Sequence, residues 1–356
     1  MSYTNGLDDP SAYFQTKIYS GSSNSQALTF DGNSDLSPNM IWLKRRSAGG
    51  NGFLYDTVRG ANRSLVPNDA DAEDTSGEST NYLTSFDSDG FTVAGGYNNT
   101  NNSGSTYVGW GWKASTTGSG TTNGSKAYSY SASPDAGFSV VTYTGNATAG
   151  HLIPHGMGKV PRLIHIKSRG DDNGWTSGSI ASASGWNDHG YLHLNNAFGT
   201  DANQFGATPD TTNFRLGTGT GTNGNNGTRV AYCFADVQGY QKIGKFVGND
   251  STNGSTIFCG FKPAWVLVKR LDAAESYFIY DNKRNAHVGN ERYYVLKADA
   301  SSAENQTYGD NWQMDFLSNG FKLRTTAGHL NSGNLLFHAI AENPFVTSSG
   351  IPTTAK

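Results

Sequence analysis

Short apolar runs that alternate with polar residues recur along the whole chain, and Gly, Asn, Ser and Thr fill the intervals between them. Alternation with a period of two is typical of strands that bury one face. Glycine and asparagine suit the tight turns between such strands. We find no long stretch with the periodic Ala, Leu, Glu and Lys of a helix. The pattern therefore predicts an all-β fold.

One strand pattern occurs three times, in the form Pro-x-x-[Ile/Val]-x-[Leu/Ile/Val]-Lys. The copies, which we call anchor strands, span Pro38 to Lys44, Pro161 to Lys167 and Pro263 to Lys269. Proline fits a strand entry, where its missing N–H does least harm. We expect the lysine to mark the solvent-exposed end of each strand. Three copies of one motif predict three copies of one structural unit.

The strands that follow each anchor keep the same spacing. The pairs Phe91 and Tyr107, Phe214 and Val230, and Phe321 and Phe337 are each 16 positions apart. A unit of about 100 residues is a common size for a two-sheet antiparallel sandwich. A single sheet would leave an apolar face in water, whereas two packed sheets bury it. We therefore predict three tandem antiparallel β-sandwich domains of jelly-roll or concanavalin-like type.

The expected boundaries are residues 1–115 for repeat 1, 137–238 for repeat 2 and 239–346 for repeat 3. Residues 116–136, rich in Gly, Ser and Thr, predict a flexible linker. The joint between repeats 2 and 3 is short and predicts a fixed relation between them. Residues 347–356 predict an extended tail. Repeat 1 is thus expected to be tethered more loosely than the other two.

A Tyr-Asp-x-x-Arg motif distinguishes the repeats from one another. It comprises Tyr55, Asp56 and Arg59 in repeat 1, and Tyr280, Asp281 and Arg284 in repeat 3, and repeat 2 lacks it. The favoured interpretation is a turn closed by an Asp–Arg salt bridge, in which the aspartate also caps the following N–H groups. The alternative is a loop that contacts a glycan or a partner. Alternation along the strand predicts that Leu54 and Tyr55 are not both in the core.

The tryptophans fall into two classes. Trp42 and Trp265 lie in anchor strands and are expected in the core, and Trp110 and Trp112 share one strand face. Trp175, Trp186 and Trp312 lie in less regular sequence and are the better candidates for surface contact with a glycan or partner, together with the six motif residues.

Composition excludes several functional classes. A net charge of -3 argues against a nucleic-acid binder with a broad basic surface. No apolar run is long enough to insert into a membrane, and the N-terminus lacks the pattern of a secretory signal. Cys233 and Cys259 lie in apolar runs and are expected to be buried, reduced thiols.

No pattern points to catalysis, a metal or a cofactor, so we predict no catalytic residue, no metal site and no cofactor. The acidic stretch from Asp69 to Glu78 predicts a solvated loop, with a calcium loop as the alternative. His338 is expected to be a strand residue with a satisfied hydrogen bond.

The assembled motifs resemble a family of virion proteins from marine bacteriophages, including phages of cyanobacteria. The segments that carry the resemblance are Gly6 to Gln15, Ser34 to Arg45, Phe86 to Phe91, Gly137 to Gly145, Asp281 to Asn285, Asp315 to Phe321 and Ala341 to Val346. The resemblance implies a tail structural protein, a fibre or appendage that contributes to host attachment and is exposed on the particle after assembly in the host cytoplasm. The partners expected are other virion proteins, a host surface glycan, and further copies of the chain, with a trimer favoured by analogy with phage fibres.

Two other functions remain open at this point. A capsid decoration protein would have the same sandwich domains. A glycan-binding module or polysaccharide depolymerase would place the exposed aromatics against a sugar.

Overall fold

The computed structural model describes residues 6–75, 82–284, 289–307 and 311–353. Nearly all of its regular structure is antiparallel strand, so the all-β prediction is confirmed. Each of the three repeats contains one large sheet and a smaller one, and repeat 2 has a further two-stranded sheet. None of the described residues lies in a helix that is long and apolar enough to span a bilayer.

Repeat 1 contains eight strands after a short 3-10 turn at Pro10–Ala12. The strands are β1 (Phe14–Ser20), β2 (Gln26–Leu28), β3 (Met40–Arg45), β4 (Phe53–Asp56), β5 (Gly60–Leu65), β6 (Leu83–Asp87), β7 (Gly90–Val93) and β8 (Thr106–Trp112). They form a large sheet in the order β1-β8-β3-β4-β5 and a small sheet in the order β2-β7-β6.

Repeat 2 is preceded by two further strands and contains two very short helical segments, a 3-10 turn at Gly185–Asn187 and α1 (Thr220–Asn223). Its strands are β9 (Thr116–Thr121), β10 (Ala127–Ser133), β11 (Phe138–Thr144), β12 (His151–Pro154), β13 (Pro161–Ser168), β14 (Thr176–Ser179), β15 (Asp188–His189), β16 (Gly199–Thr200), β17 (Phe205–Ala207), β18 (Asn213–Leu216) and β19 (Thr228–Ala235). The sheet orders are β14-β13-β19-β11-β10-β9, β12-β18-β17 and β15-β16.

Repeat 3 closes the chain and contains α2 (Gly328–Asn331). Its strands are β20 (Gln241–Val247), β21 (Thr256–Phe258), β22 (Phe261–Arg270), β23 (Tyr277–Asp281), β24 (Glu291–Arg292), β25 (Leu296–Lys297), β26 (Met314–Leu317), β27 (Gly320–Leu323) and β28 (Asn334–Pro344). They form two sheets in the orders β20-β28-β22-β23-β25 and β21-β27-β26-β24.

The three large sheets share one arrangement around the anchor strands β3, β13 and β22. In each sheet the anchor lies between the last strand of its repeat and the strand that follows the anchor. Equivalent positions follow from the register: Met40, Leu163 and Trp265 lie opposite Trp112, Phe234 and Ile340, respectively. The repeat deduced from sequence is therefore also a repeat of strand pairing.

The hairpin turns of repeats 1 and 3 require glycine at the same place. Gly90 and Gly320 have φ values of 114° and 149°, a region that L-residues rarely adopt. A Cβ at Gly90 would lie 2.0 Å from the carbonyl oxygen of Leu28, and one at Gly320 would lie 1.9 Å from that of Ile257. The small sheet thus packs its first strand directly against the glycine of the hairpin.

The large sheets are buried on both faces, which the alternation of a single sandwich does not anticipate. Tyr55 points into the sandwich core of repeat 1, whereas Leu54 joins a second cluster shared with the other repeats. Both side chains are buried, so the prediction that they could not both be core was wrong. The second face is covered by neighbouring repeats rather than by water.

A shared aromatic centre joins the three repeats. The Trp112 ring lies 4.9 Å from that of Phe14 in repeat 1, 6.3 Å from Phe138 in repeat 2 and 5.9 Å from Trp265 in repeat 3, measured between centroids. Trp42 and Trp265 belong to the same cluster, so their predicted core position is confirmed, and Trp110 lies there as well. The repeats form a closed ring around this centre instead of a string of domains.

The predicted flexible linker is largely a β-hairpin. Thr116–Thr121 and Ala127–Ser133 form β9 and β10, and β10 pairs with β11 along its length. Gly118 and Gly120 of β9 lie opposite Tyr130 and Tyr128, and their missing side chains leave room for the tyrosine rings. The glycines of the predicted linker therefore lie in a strand that packs beneath two tyrosine rings.

We expect the chain to unfold in one cooperative transition, because the repeats share one core. Trp112→Ala removes a ring that contacts all three repeats and should lower the free energy of unfolding by about 3–5 kcal/mol. Urea denaturation measures the change in the free energy of unfolding, and native-state hydrogen exchange tests whether the three repeats open together. Earlier exchange of repeat 1 than of repeats 2 and 3 would contradict this expectation and support a loosely tethered first domain.

Candidate functional site at the seams between repeats

The Tyr-Asp-x-x-Arg motif of repeat 1 forms a closed turn at the end of β4. The Oδ1 atom of Asp56 accepts hydrogen bonds from the N–H groups of Val58 and Arg59, at 3.1 and 2.9 Å. Its Oδ2 atom accepts from Nε of Arg59 at 2.6 Å. The predicted capped turn with a salt bridge is therefore confirmed, and both side chains are buried.

Repeat 3 has the same turn at the end of β23. Oδ1 of Asp281 accepts from the N–H groups of Lys283 and Arg284 at 3.0 and 2.9 Å, and Oδ2 accepts from Nε of Arg284 at 2.5 Å. The Arg284 guanidinium also donates to the carbonyl of Ile279 at 2.7 Å. Arg59 likewise donates to the carbonyl of Leu54 at 3.0 Å, so each arginine bonds to its own strand.

Each aspartate also accepts a hydrogen bond from a neighbouring repeat. The Tyr232 hydroxyl of repeat 2 donates to Asp56 of repeat 1 at 2.8 Å. The indole N–H of Trp110 of repeat 1 donates to Asp281 of repeat 3 at 2.9 Å. Trp110 and Tyr232 occupy equivalent positions on β8 and β19. Each turn therefore lies at an interface between two repeats, which we call a seam. The Asp56 turn lies at the seam from repeat 2 to repeat 1, and the Asp281 turn lies at the seam from repeat 1 to repeat 3.

A buried glutamate completes each of these seams. Glu73 accepts from Arg59 at 2.9 Å and from Arg169 of repeat 2 at 2.8 Å. Glu304 accepts from Arg284 at 2.8 Å and, across the seam, from Nη2 of Arg46 in repeat 1 at 2.9 Å. Both inter-repeat arginines bind the carboxylate in the two-pronged geometry that is the strongest for this pair.

Neighbouring charges set the ionisation of this network. Burial alone would lower the pKa of Arg59, but Asp56, Tyr232 and Glu73 raise it above its ordinary value. Burial alone would raise the pKa of Glu73, but Arg169 and Arg59 hold it below its ordinary value. The arginine and the glutamate therefore remain charged and paired inside the protein.

The anchor lysines close the ring, and they do so at all three seams. Nζ of Lys44 in repeat 1 donates to the carbonyl of Ala300 in repeat 3 at 2.7 Å. Lys167 of repeat 2 donates to Ala70 of repeat 1 at 2.9 Å, and Lys269 of repeat 3 donates to Asn195 of repeat 2 at 2.9 Å.

The lysines were expected at solvent-exposed strand ends, and this prediction was wrong. Their exposed fractions are 1% for Lys44 and 0% for Lys167 and Lys269. Burial lowers the pKa of each to about 8. Each strand end is covered because the next repeat in the ring lies against it.

The third seam, from repeat 3 to repeat 2, keeps the backbone pattern and its anchor lysine but lacks the Asp–Arg–Glu network. Backbone N–H groups of Glu73, Phe198 and Glu304 donate to the carbonyls of Arg169, Leu271 and Arg46, respectively, at 3.0, 2.9 and 3.0 Å. Phe198 and Leu271 thus stand where the other seams pair glutamate with arginine. Ser179 occupies the position of Asp56 and Asp281. The first acid, its arginine and the second acid are all absent at this seam, so no member of that network lies there without its partners.

Two neutral histidines lie near this third seam. His338 occupies the position of Trp110 and Tyr232 and bonds to Oε1 of Gln241 at 3.1 Å, as expected for a satisfied strand residue. His165 bonds to the Ser177 hydroxyl at 2.7 Å. Burial lowers the pKa of both to about 3, and His165 contributes to the shift of His338.

Eight of the nine residues proposed for glycan or partner contact are buried, and Trp312 is partly exposed. Tyr55, Tyr280 and Trp175 are 0% exposed and Trp186 is 3% exposed, because the large sheets are covered on both faces. Trp312 is partly buried and packs near Phe278. The four charged motif residues, Asp56, Arg59, Asp281 and Arg284, are buried in the seams described above. For those eight residues the expected surface exposure was wrong, whereas contact through Trp312 stays a prediction.

Sequence reasoning missed the inter-repeat partners. Arg46 and Arg169 both stand two residues after an anchor lysine, where repeat 3 has Leu271. That spacing was a detectable signal, and its loss in repeat 3 matches the loss of the acid in repeat 2. Glu73 gave no such signal, because its distance from the motif differs from that of Glu304. The acidic stretch expected to be a solvated loop contains Glu73 in a buried seam, and its last residue, Glu78, lies outside the described residues.

The chemistry available at the seams is structural. The carboxylates and guanidinium groups there bond to one another, and the side chains of the two Asp–Arg turns are closed to solvent. Among the described residues, no group of three His, Cys, Asp or Glu side chains is placed to hold a metal ion. Cys233 and Cys259 are buried free thiols, as predicted.

Comparison with known proteins adds one relationship. Residues 9–344 match the model of a family described as "Domain of unknown function (DUF7483)". No curated protein matches the chain, and no solved structure matches it.

Asp281→Ala should be strongly destabilising, because it leaves Arg284 buried and removes the acceptor of Trp110. Breaking a buried pair on one side costs about 3–5 kcal/mol. Ser179→Ala at the equivalent position of repeat 2 is the matched control and should cost about 1 kcal/mol. Urea denaturation of both variants checks the difference, and equal losses would contradict the assigned role.

Acid should destabilise the fold through His165 and His338. Their pKa values are about 3 when folded, against about 6.5 when unfolded, so the unfolded chain binds protons first as pH falls below about 6.5. Each histidine then removes about 2 kcal/mol of stability by pH 5.

Urea denaturation at pH 7.5 and pH 5 measures this loss. The His165→Gln/His338→Gln variant, which cannot take up these protons, should show a much smaller difference between the two pH values. An unchanged difference would mean that other groups govern the acid response.

Proposed function

Since the chain belongs to the DUF7483 family, whose function is unknown, we propose that it is a bacteriophage virion structural protein. We place it in the tail, as a fibre or appendage component that contributes to host attachment. Its location would be the exterior of the particle, and its partners other tail proteins. The resemblance of its motifs to marine phage virion proteins is the source of this proposal.

The closed ring is the observation that supports a structural role best. Three sandwiches bury the outer faces of their large sheets against one another, and buried lysines join each repeat to the next. Such a body resists separation of its domains, because opening one seam exposes apolar surface and buried charge together. A particle component that bears load during attachment needs this property.

The hydrogen bonds of the buried charged side chains support a non-enzymatic role. Arg59 and Arg284 donate to strand carbonyls and to two carboxylates each, so their hydrogen-bonding capacity is engaged within the seams. A catalytic acid or base must reach a substrate, and these groups do not reach solvent. We therefore propose no catalytic residue and no cofactor.

A further proposal concerns assembly. The homotrimer expected by analogy with phage fibres stays a prediction, because the threefold arrangement described above lies within one chain. Native mass measurement of the purified chain tests it, and a mass of 38.0 kDa at high concentration would contradict it.

The position of the chain in intact particles tests the main proposal. We expect gold-labelled antibody against the chain to mark the tail, and mass spectrometry of purified particles to detect it in multiple copies. Label on the head would favour the alternative of a capsid decoration protein. Absence of the chain from purified particles would overturn the virion assignment altogether.

A further inference from the structure

A polar cleft opens at the outer end of the seam between repeats 1 and 3. Its volume is about 320 Å³, at the small end of the range for ligand pockets. Repeat 1 contributes β1 and the loop from Asp31 to Asn33, and repeat 3 contributes Asn282, Lys283 and the end of β28. We propose that this cleft binds one ring of a neutral carbohydrate.

The cleft arises from a difference between two otherwise equivalent seams. Lys283 stands in the turn after Asp281 where the turn after Asp56 has Val58, and Val58 packs against the shared core. The Lys283 side chain instead reaches Asp31 of repeat 1, at 2.9 Å. A bridging pair at the rim leaves a hollow beneath it that an apolar side chain would fill.

Charge pairing in the cleft selects a neutral ligand. Burial alone would raise the pKa of Asp31, but Lys283 and Lys17 hold it below its ordinary value, so the carboxylate is charged and paired. Glu342 pairs with Lys262 at 3.1 Å. The charged residues lining the cleft are thus already neutralised, and an ionic ligand would have to displace an existing partner.

Three asparagines supply the hydrogen-bonding groups. Within the part of the chain that the structure describes, the side-chain amides of Asn33, Asn282 and Asn343 line the cleft and bond to no other residue. A primary amide offers donors and an acceptor on one plane, which suits the adjacent hydroxyls of a sugar. The carboxylates of Asp31 and Glu342 offer further acceptors beside them.

The floor and one wall are fixed in place before any ligand arrives. Phe14, Ala264 and Ala341 form a buried apolar floor for the C–H face of a ring. Gln15 holds the wall: its Nε2 donates to the Ser34 carbonyl at 2.7 Å, and its Oε1 accepts from the Gly32 N–H at 2.7 Å. A preformed site reduces the entropy lost on binding.

This inference gives the proposed attachment role a site, and it rests on that role for its biological meaning. Its chemistry is tested separately, on the purified full chain. Saturation-transfer NMR with glucose, galactose, mannose and N-acetylglucosamine at about 10 mM each suits a single-ring ligand, whose Kd we expect on the order of 1 mM. Sialic acid and glucosamine serve as charged comparisons.

The double variant Asn282→Thr/Asn343→Ala removes two of the three asparagine amides that line the cleft. Threonine is the residue that repeat 1 has at the equivalent turn position, Thr57, so the fold should tolerate it. We expect about tenfold weaker sugar binding with an unchanged Tm. Asn187→Ala, at an exposed position in repeat 2, is the matched control and should bind as the parent chain does.

Three outcomes would overturn the inference: no signal from any neutral sugar, signals that persist unchanged in the double variant, or signals from charged sugars alone. If the chain is present on the tail but binds no neutral sugar, the proposed ligand of the cleft is wrong and the proposed function is unaffected. Sugar binding by a chain that is absent from purified particles would support the cleft and overturn the proposed function.

Discussion

The large sheets of this protein are apolar on both faces, and a single sandwich covers one of them. The remaining face must be buried elsewhere, because its exposure would cost about 25 cal/mol for each Å² of apolar surface. Three repeats solve this by turning those faces toward one another, with Trp112 in contact with rings from each. Most other features follow from this constraint, including the buried strand-end lysines and the closed ring.

Polar groups at the edge of the shared core set the geometry of the ring. Buried ion pairs contribute little net stability compared with apolar packing, but removal of one partner leaves a buried charge uncompensated and costs about 3–5 kcal/mol. Lys44, Lys167 and Lys269 each bond to a carbonyl of the next repeat, which fixes the direction of the ring. The Asp–Arg–Glu networks add to this at two of the three seams.

The differences between the repeats match one another across the seams. Leu271, Phe198 and Ser179 stand where the other seams have an arginine and two acids, so this seam has its anchor lysine and nearby neutral histidines but no Asp–Arg–Glu network. A second divergence, Lys283 for valine, opens a polar cleft at another seam. The ring therefore keeps one architecture while each seam has its own chemistry, so a ligand or partner meets three different edges.

The sequence by itself determined the strands, the three repeats and the capped Asp–Arg turns, because these depend on local alternation, spacing and short-range hydrogen bonds. It also predicted the buried cysteines and the bonded His338. Tertiary structure alone decided that Tyr55, Trp175 and the anchor lysines are buried and that residues 116–133 form a hairpin. The second face of a sheet has the same alternation whether water or another repeat covers it. A local pattern therefore does not record which of the two is present.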